Sequence, residues 1–173
     1  MALVVFLRGI NVGGHRRFRP AALAAELKDL DAVNIGAAGT FVIRRKVTRT
    51  RLRAELTRRM PFAAEIVICD SGEILDLTSR DPFATARLPP GAVRFVSILS
   101  KRPQLSPSMP LAFPSPGAWL LRILARKDRF VLGMYRRDMK VIGYLGAIDR
   151  IFGVPATTRN WNTITAIRKV LRP

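Results

Sequence analysis

Residues 3–69 run through one order of patterns, strand, helix, hairpin, helix, strand, and that order leaves few ways to bury every apolar face. Leu3–Leu7 is an unbroken apolar run of strand length, which reads as a buried strand. Pro20 suits an early helical position, and Leu23, Leu27 and Leu30 recur at i, i+4 and i+7, so a helix is expected over Pro20–Leu30. Val33–Ile35 and Phe41–Ile43 are short β-prone runs around Gly36-Ala37-Ala38-Gly39, the pattern of a hairpin. Thr48 or Thr50 can cap a second helix running to about Met60, with Leu52, Leu56 and Met60 inward and Pro61 stopping it. Glu65–Cys69 reads as a strand, and Asp70-Ser71-Gly72-Glu73 as a capping box ahead of a helix over Ile74–Ser79. The resulting β-α-β-β-α-β order is that of a ferredoxin-like sandwich, an α+β fold with helices on one face of an antiparallel sheet.

The remaining residues repeat this order in a degraded form. Val93–Leu99 alternates like a strand, Trp119–Ala125 and Phe130–Tyr135 form a hairpin around Arg126-Lys127-Asp128-Arg129, and Val141–Phe152 has helical periodicity ending at Gly153. A last helix begins at Asn160 or Asn162 and buries Ile164, Ile167 and Leu171. Pro103, Pro107, Pro110, Pro114 and Pro116 stand where the repeat calls for its first helix, so a loop is expected there. The expected organisation is a ferredoxin-like half over residues 1–82, a linker over 83–92 and a second ferredoxin-like half over 93–173.

Charge narrows the set of partners. The chain of 173 residues carries a formal net charge of +18, with 15 basic and 9 acidic side chains before residue 91 but 15 and 3 after it. Self-repulsion of that size is relieved by an anionic partner: nucleic acid, a phosphorylated ligand or acidic lipid. The preponderance of arginine over lysine also fits GC-rich codon usage. No apolar run approaches the roughly 20 residues of a membrane span, and Leu3–Leu7 lacks the basic flank and cleavage site of a signal peptide. The lone Cys69 has no intramolecular partner and sits in an apolar run, so a buried thiol and a reducing cytoplasm are expected.

Two stretches stand out as candidate ligand contacts. Arg8-Gly9-Ile10-Asn11-Val12-Gly13-Gly14 follows the first strand, and its glycines free backbone amides beside Arg8, Arg16, Arg17 and Arg19, as an anion nest requires; a tight turn held by Asn11 is the alternative. Its glycine spacing is neither a dinucleotide fingerprint nor a phosphate-binding loop of the GKS/GKT type. Thr157-Thr158-Arg159-Asn160-Trp161-Asn162-Thr163 offers more polar side chains than helix capping needs, and Arg159 stands at a helix N-terminus, where a guanidinium opposes the dipole unless it binds an anion. Should the two stretches meet, Arg8, Asn11, Gly13, Gly14, Thr158, Arg159, Asn160 and Asn162 would line one cationic pocket.

Leu7-Arg8-Gly9-Ile10-Asn11-Val12-Gly13-Gly14 and Ala156-Thr157-Thr158-Arg159-Asn160-Trp161-Asn162-Thr163 resemble the two signatures of a bacterial domain-of-unknown-function family. The resemblance implies a tandem ferredoxin-like architecture and a cytoplasmic protein, and it implies no established activity. The chain departs from the family pattern at Ala38-Gly39-Thr40, where members carry Ser-Gly-Asn, and at Arg136–Lys140, where a Gly-Arg-Ser-Lys stretch is shortened.

No catalytic set is legible, and no nucleophile, cofactor or metal site is assigned. His15, the single histidine, lies in a basic loop, and one His with one Cys gives too few metal ligands. The residues support two functional readings: a pocket for a small phosphorylated or carboxylated ligand at the two motifs, or nonspecific nucleic-acid binding through Arg44, Arg45, Arg51, Arg58 and Arg59. RNA binding on the sheet itself would need exposed aromatics, and Phe41 and Phe130 are the obvious candidates.

Overall fold

The structure, a computed structural model, describes residues 1–10 and 18–172. The chain divides into two compact units, one formed by Met1–Thr78 with the chain from Thr165 onward, the other by Ser79–Ile164.

The first unit contains β1 (Leu3–Arg8), α1 (Pro20–Glu26), β2 (Ala32–Asn34), β3 (Thr40–Ile43), α2 (Arg49–Arg59), β4 (Glu65–Asp70) and α3 (Ser71–Leu77). The strands form an antiparallel sheet in the order β2-β3-β1-β4, as a split β-α-β pair requires. Leu3, Val5 and Leu7 share a face with Phe41, Ile43 and Ile68 and pack against Leu23 and Leu27 from α1 and its C-terminus and Leu52 and Leu56 of α2. The opposite face is buried too, with Val4, Phe6, Val42 and Cys69 fully enclosed. Burial on both faces explains why β1 reads as a continuous apolar run rather than an alternation. Cys69 is a buried free thiol.

The helix boundaries follow local chemistry. Pro20 opens α1, and the expected eleven-residue helix stops at Glu26; the chain tightens into one 3-10 turn, Lys28–Leu30, and leaves it through Asp31 in the left-handed region. That tightening keeps Leu30 inward. The Thr48 hydroxyl accepts the Arg51 amide at 3.2 Å to cap α2, which ends at Met60 because Pro61 disfavours helical geometry in the residue before it. Asp70 and Glu73 complete the capping box of α3, with Glu73 accepting the Asp70 amide at 2.7 Å.

Gly39, in the stretch Ala38-Gly39-Thr40, is required on two counts. Its φ is +77°, and an added Cβ would lie 2.7 Å from Ile10 Cδ1 and 2.9 Å from Leu7 Cβ. Gly39→Ala is expected to cost about 2–3 kcal/mol, combining left-handed strain with overpacking of the β1 end, and thermal unfolding measures it.

The second unit contains β5 (Ala92–Leu99), β6 (Leu111–Phe113), β7 (Leu121–Lys127), β8 (Phe130–Arg136), α4 (Val141–Gly146), α5 (Ile148–Phe152), β9 (Ala156–Asn160) and the start of α6 (Trp161–Leu171). Its sheet order is β6-β7-β8-β5-β9, so without the edge strand β6 it repeats the order of the first sheet. The proline-rich segment supplies β6 in place of the missing first helix, and prolines beside so short a strand suit an edge. Two differences from the sequence reading stand out. Val141–Phe152 forms two short helices meeting at Ala147, and Ala156–Asn160, to which the sequence pattern assigns no element, is a strand paired antiparallel with β5. Two threonines at its centre favour extended backbone, and the alternation of apolar residues that marks other strands is absent. Phe95, Leu99, Leu121, Ile123 and Val131 pack against Val141, Ile148 and Phe152 on one face.

The two units also agree beyond their sheets. In each, the last strand passes its final residue directly into a helix as the cap, Asp70 before α3 and Asn160 before α6. Ile74 and Leu77 match Ile164 and Ile167 at the same offsets, and all four are buried.

Candidate functional site

The end of β9 builds the candidate site. Asn160 Oδ1 accepts the Thr163 amide at 2.9 Å and the Thr163 hydroxyl at 3.0 Å, which caps α6 and fixes where Trp161 and Asn162 stand on its first turn. The Trp161 ring meets Phe83 edge-to-face at 5.2 Å, and the Arg94 guanidinium of β5 lies 5.5 Å from the centre of the same Phe83 ring. Arg137, just past β8, is exposed. Arg94, Arg137, Asn160, Trp161 and Asn162 line a cleft of about 220 Å³, closed on its apolar side by Leu88 and Val93. No carboxylate is among its lining residues, and the Nε of Arg94 is buried without a hydrogen-bond partner.

The equivalent place in the first unit is arranged with the opposite charge. There the first turn of α3 holds Asp70 and Glu73, and Arg49 binds both, at 2.7 and 3.4 Å. At α6 these carboxylates are replaced by Asn160 and Thr163. The positive end of α6, eleven residues long, therefore has no acid in its first turn, and Arg94 and Arg137 line the same cleft as that turn.

The sequence candidates separate into four groups. Asn160 and Asn162 line the cleft. Thr158 and Arg159 do not: the Thr158 hydroxyl shares a 2.6 Å hydrogen bond with Ser97 on β5, and Arg159 is buried, donating to the Thr157 hydroxyl at 2.9 Å and the Thr158 carbonyl at 2.8 Å. Burial pushes the Arg159 pKa down to about 10, so the group stays charged at neutral pH. Arg8 ends β1 in the first unit and donates to Glu65, its neighbour across the sheet, at 3.4 Å. Asn11, Gly13, Gly14, His15, Arg16 and Arg17 lie outside the described residues.

The Arg44–Arg59 cluster is tied into its own unit. Arg44 binds both oxygens of Asp31 at 2.9 Å, Arg45 donates to the Asp29 carbonyl at 2.7 Å, and Arg58 and Arg59 hold Glu55 at 2.8 and 3.0 Å. Arg59 also donates to the Glu26 carbonyl, and Arg51 is exposed. Hydrogen bonds from Arg58 and then Arg59 hold the Glu55 carboxyl below its ordinary range, as the Arg44 hydrogen bond does for Asp31. Carboxyls depressed on folding contribute stability that is complete above their unfolded values and lost as pH falls through their folded ones. Thermal unfolding should therefore show a gap between the protein and Glu55→Gln at neutral pH that closes in acid. Phe41 and Phe130 are both core residues, which removes them as stacking platforms.

Among the described residues, no group of three or more His, Cys, Asp or Glu could hold a metal ion. None of their helices is long and apolar enough to cross a membrane.

A family model described as "Protein of unknown function (DUF1697)" matches residues 1–110, more than half of the 173-residue chain. The chain belongs to the DUF1697 family. Comparison with curated proteins returns no match. Among solved structures, this DUF1697 chain is similar in fold to the conserved bacterial protein SP0830 from Streptococcus pneumoniae, with a TM-score of 0.60 and 15% identity over 99% of this chain and 98% of that one. The match over nearly the full length of both chains supports a mixed α+β architecture with two antiparallel sheets in this DUF1697 protein.

Sequence reasoning missed Arg94, Arg137 and Phe83. The signal that could have found the site was the repeat: placing Asp70-Ser71-Gly72-Glu73 over Asn160-Trp161-Asn162-Thr163 exposes the loss of two acids at one helix start.

Proposed function

We propose that this DUF1697 protein is a cytoplasmic binding protein that seats a phosphate or carboxylate group of its ligand at the N-terminus of α6. The observation that carries the reading is the charge inversion between equivalent helix starts. Where α3 has two acids of its own, α6 has neutral caps and two arginines facing a cleft without carboxylates. An incoming anion would meet the amides of the first turn, worth about 0.3–1 kcal/mol, and charge-assisted hydrogen bonds of about 1.5–3 kcal/mol from each guanidinium. Such a sum lies in the millimolar-to-micromolar range. Asn160 and Asn162 add polar contacts, Trp161 supplies an apolar wall, and Thr158 and Arg159 brace β9 behind the cap. The buried thiol of Cys69 accords with a reducing compartment.

The small-anion reading gains over nucleic-acid binding at Arg44–Arg59 because Arg44, Arg58 and Arg59 already hold Asp31 and Glu55. No catalytic role is assigned. Titration with inorganic phosphate, pyrophosphate and nucleoside monophosphates tests the proposal: a saturating rise in unfolding temperature is expected, and its absence for every anion would refute it.

A further inference from the structure

We infer that the cleft is one end of a longer arginine track and that its ligand is a single-stranded nucleic acid; the inference rests on the anion-binding reading above. Arg94 on β5 and Arg122 on β7 both sit opposite Met134 of the intervening strand β8, so they share a sheet face with two strand spacings, about 10 Å, between their backbones. Arg136 lies two residues along β8 on that same face. The side chains do not converge on one point, because two different rings hold them. Arg94 lies over Phe83, whereas Arg122 and Arg136 lie 5.5 and 4.4 Å from the centre of Trp119. Arg136 is fixed further, its Nε donating to the Trp119 carbonyl at 3.1 Å.

Among the described residues, none of Arg94, Arg122, Arg136 and Arg137 forms an ion pair, in contrast to Arg44, Arg49, Arg58 and Arg59 of the first unit. The Nε atoms of Arg94 and Arg122 are buried without hydrogen-bond partners. A guanidinium stacked on an aromatic ring keeps its N–H edge available to phosphate, and fixed cations with aromatics between them suit a strand whose phosphates recur along a chain. A single phosphate in the cleft leaves Arg122 and Arg136 unused. A strand engages both groups, with one base against Trp161.

The test compares inorganic phosphate, thymidine monophosphate and a short fluorescent oligothymidylate on the full chain, the strand followed by anisotropy across a salt series. The strand should bind at least about tenfold tighter than the mononucleotide and weaken steeply with salt. Arg122→Gln and Arg136→Gln should each weaken the strand about five- to tenfold and lower the salt slope by about one, with phosphate affinity unchanged. Arg122→Lys, which keeps the charge, should recover most of the loss and guards against a folding defect in the glutamine variant. A strand that binds no tighter than the mononucleotide, or one indifferent to both glutamine variants, overturns the inference and leaves the cleft intact if phosphate still binds. Failure of phosphate itself removes both.

Discussion

The double variant Arg94→Gln, Arg137→Gln should lose anion binding altogether at concentrations that saturate the unaltered protein. Each guanidinium contributes a charge-assisted hydrogen bond, and about 1.4 kcal/mol is a factor of ten, so either single change should cost about tenfold and the pair about a hundredfold or more. The fold should survive. Arg137 is exposed and makes no ion pair among the described residues, while Arg94 gives up one cation–π contact with Phe83, worth about 0.5–2 kcal/mol. Binding and stability therefore part company in this variant, which a general destabilisation would not produce. Arg44→Gln and Arg58→Gln serve as counterparts: they remove as much charge from the first unit and should leave the cleft's affinity nearly unchanged.

Gly133→Ala should destabilise the second unit as severely as Gly39→Ala does the first. Gly133 stands on β8 between Phe95 and Ile123, beside the irregularity in β7 pairing between Ile123 and Ala125. An added Cβ would collide with the carbonyl oxygen of Arg122 and lie 2.5 Å from Phe95 Cζ. Neither obstacle yields easily: the first is ladder backbone, and the second belongs to a fully buried ring in the core of the second unit. Overpacking of this kind costs about 1–3 kcal/mol, at the upper end where backbone must move, or about 5–10 °C in unfolding temperature for a chain of this length. Part of the cost runs through the Phe95 ring, so Gly133→Ala should cost less in a Phe95→Leu background, and a double-mutant cycle reads that coupling.

The first unit is legible because its strands and helices bury residues at the spacings their geometry demands. Leu3–Leu7 is apolar throughout since both faces of β1 are enclosed, and Leu52 and Leu56 repeat once per helical turn toward one core. Periodicity fails where polar residues are buried. β9 carries Thr157 and Arg159 inward and bonded to each other along the strand, so its buried face is polar and leaves no apolar alternation to read. The break after Glu26 depends on Asp31 turning left-handed, a choice Arg44 supports by binding its carboxylate from β3's far end. The site was half legible. Asn160 and Asn162 declare themselves as caps, but Arg94 reaches the cleft only through strand register and its seat on Phe83. Nothing in local sequence specifies either.

The most direct measurement is a nuclear magnetic resonance titration of the isotopically labelled protein with inorganic phosphate. The backbone amides of Trp161 and Asn162, the indole N–H of Trp161 and the side chains of Arg94 and Arg137 should shift together on one saturable isotherm. Shifts confined to Arg44–Arg59, or drifting without saturation across all exposed arginines, would contradict the assignment of an anion seat to the start of α6.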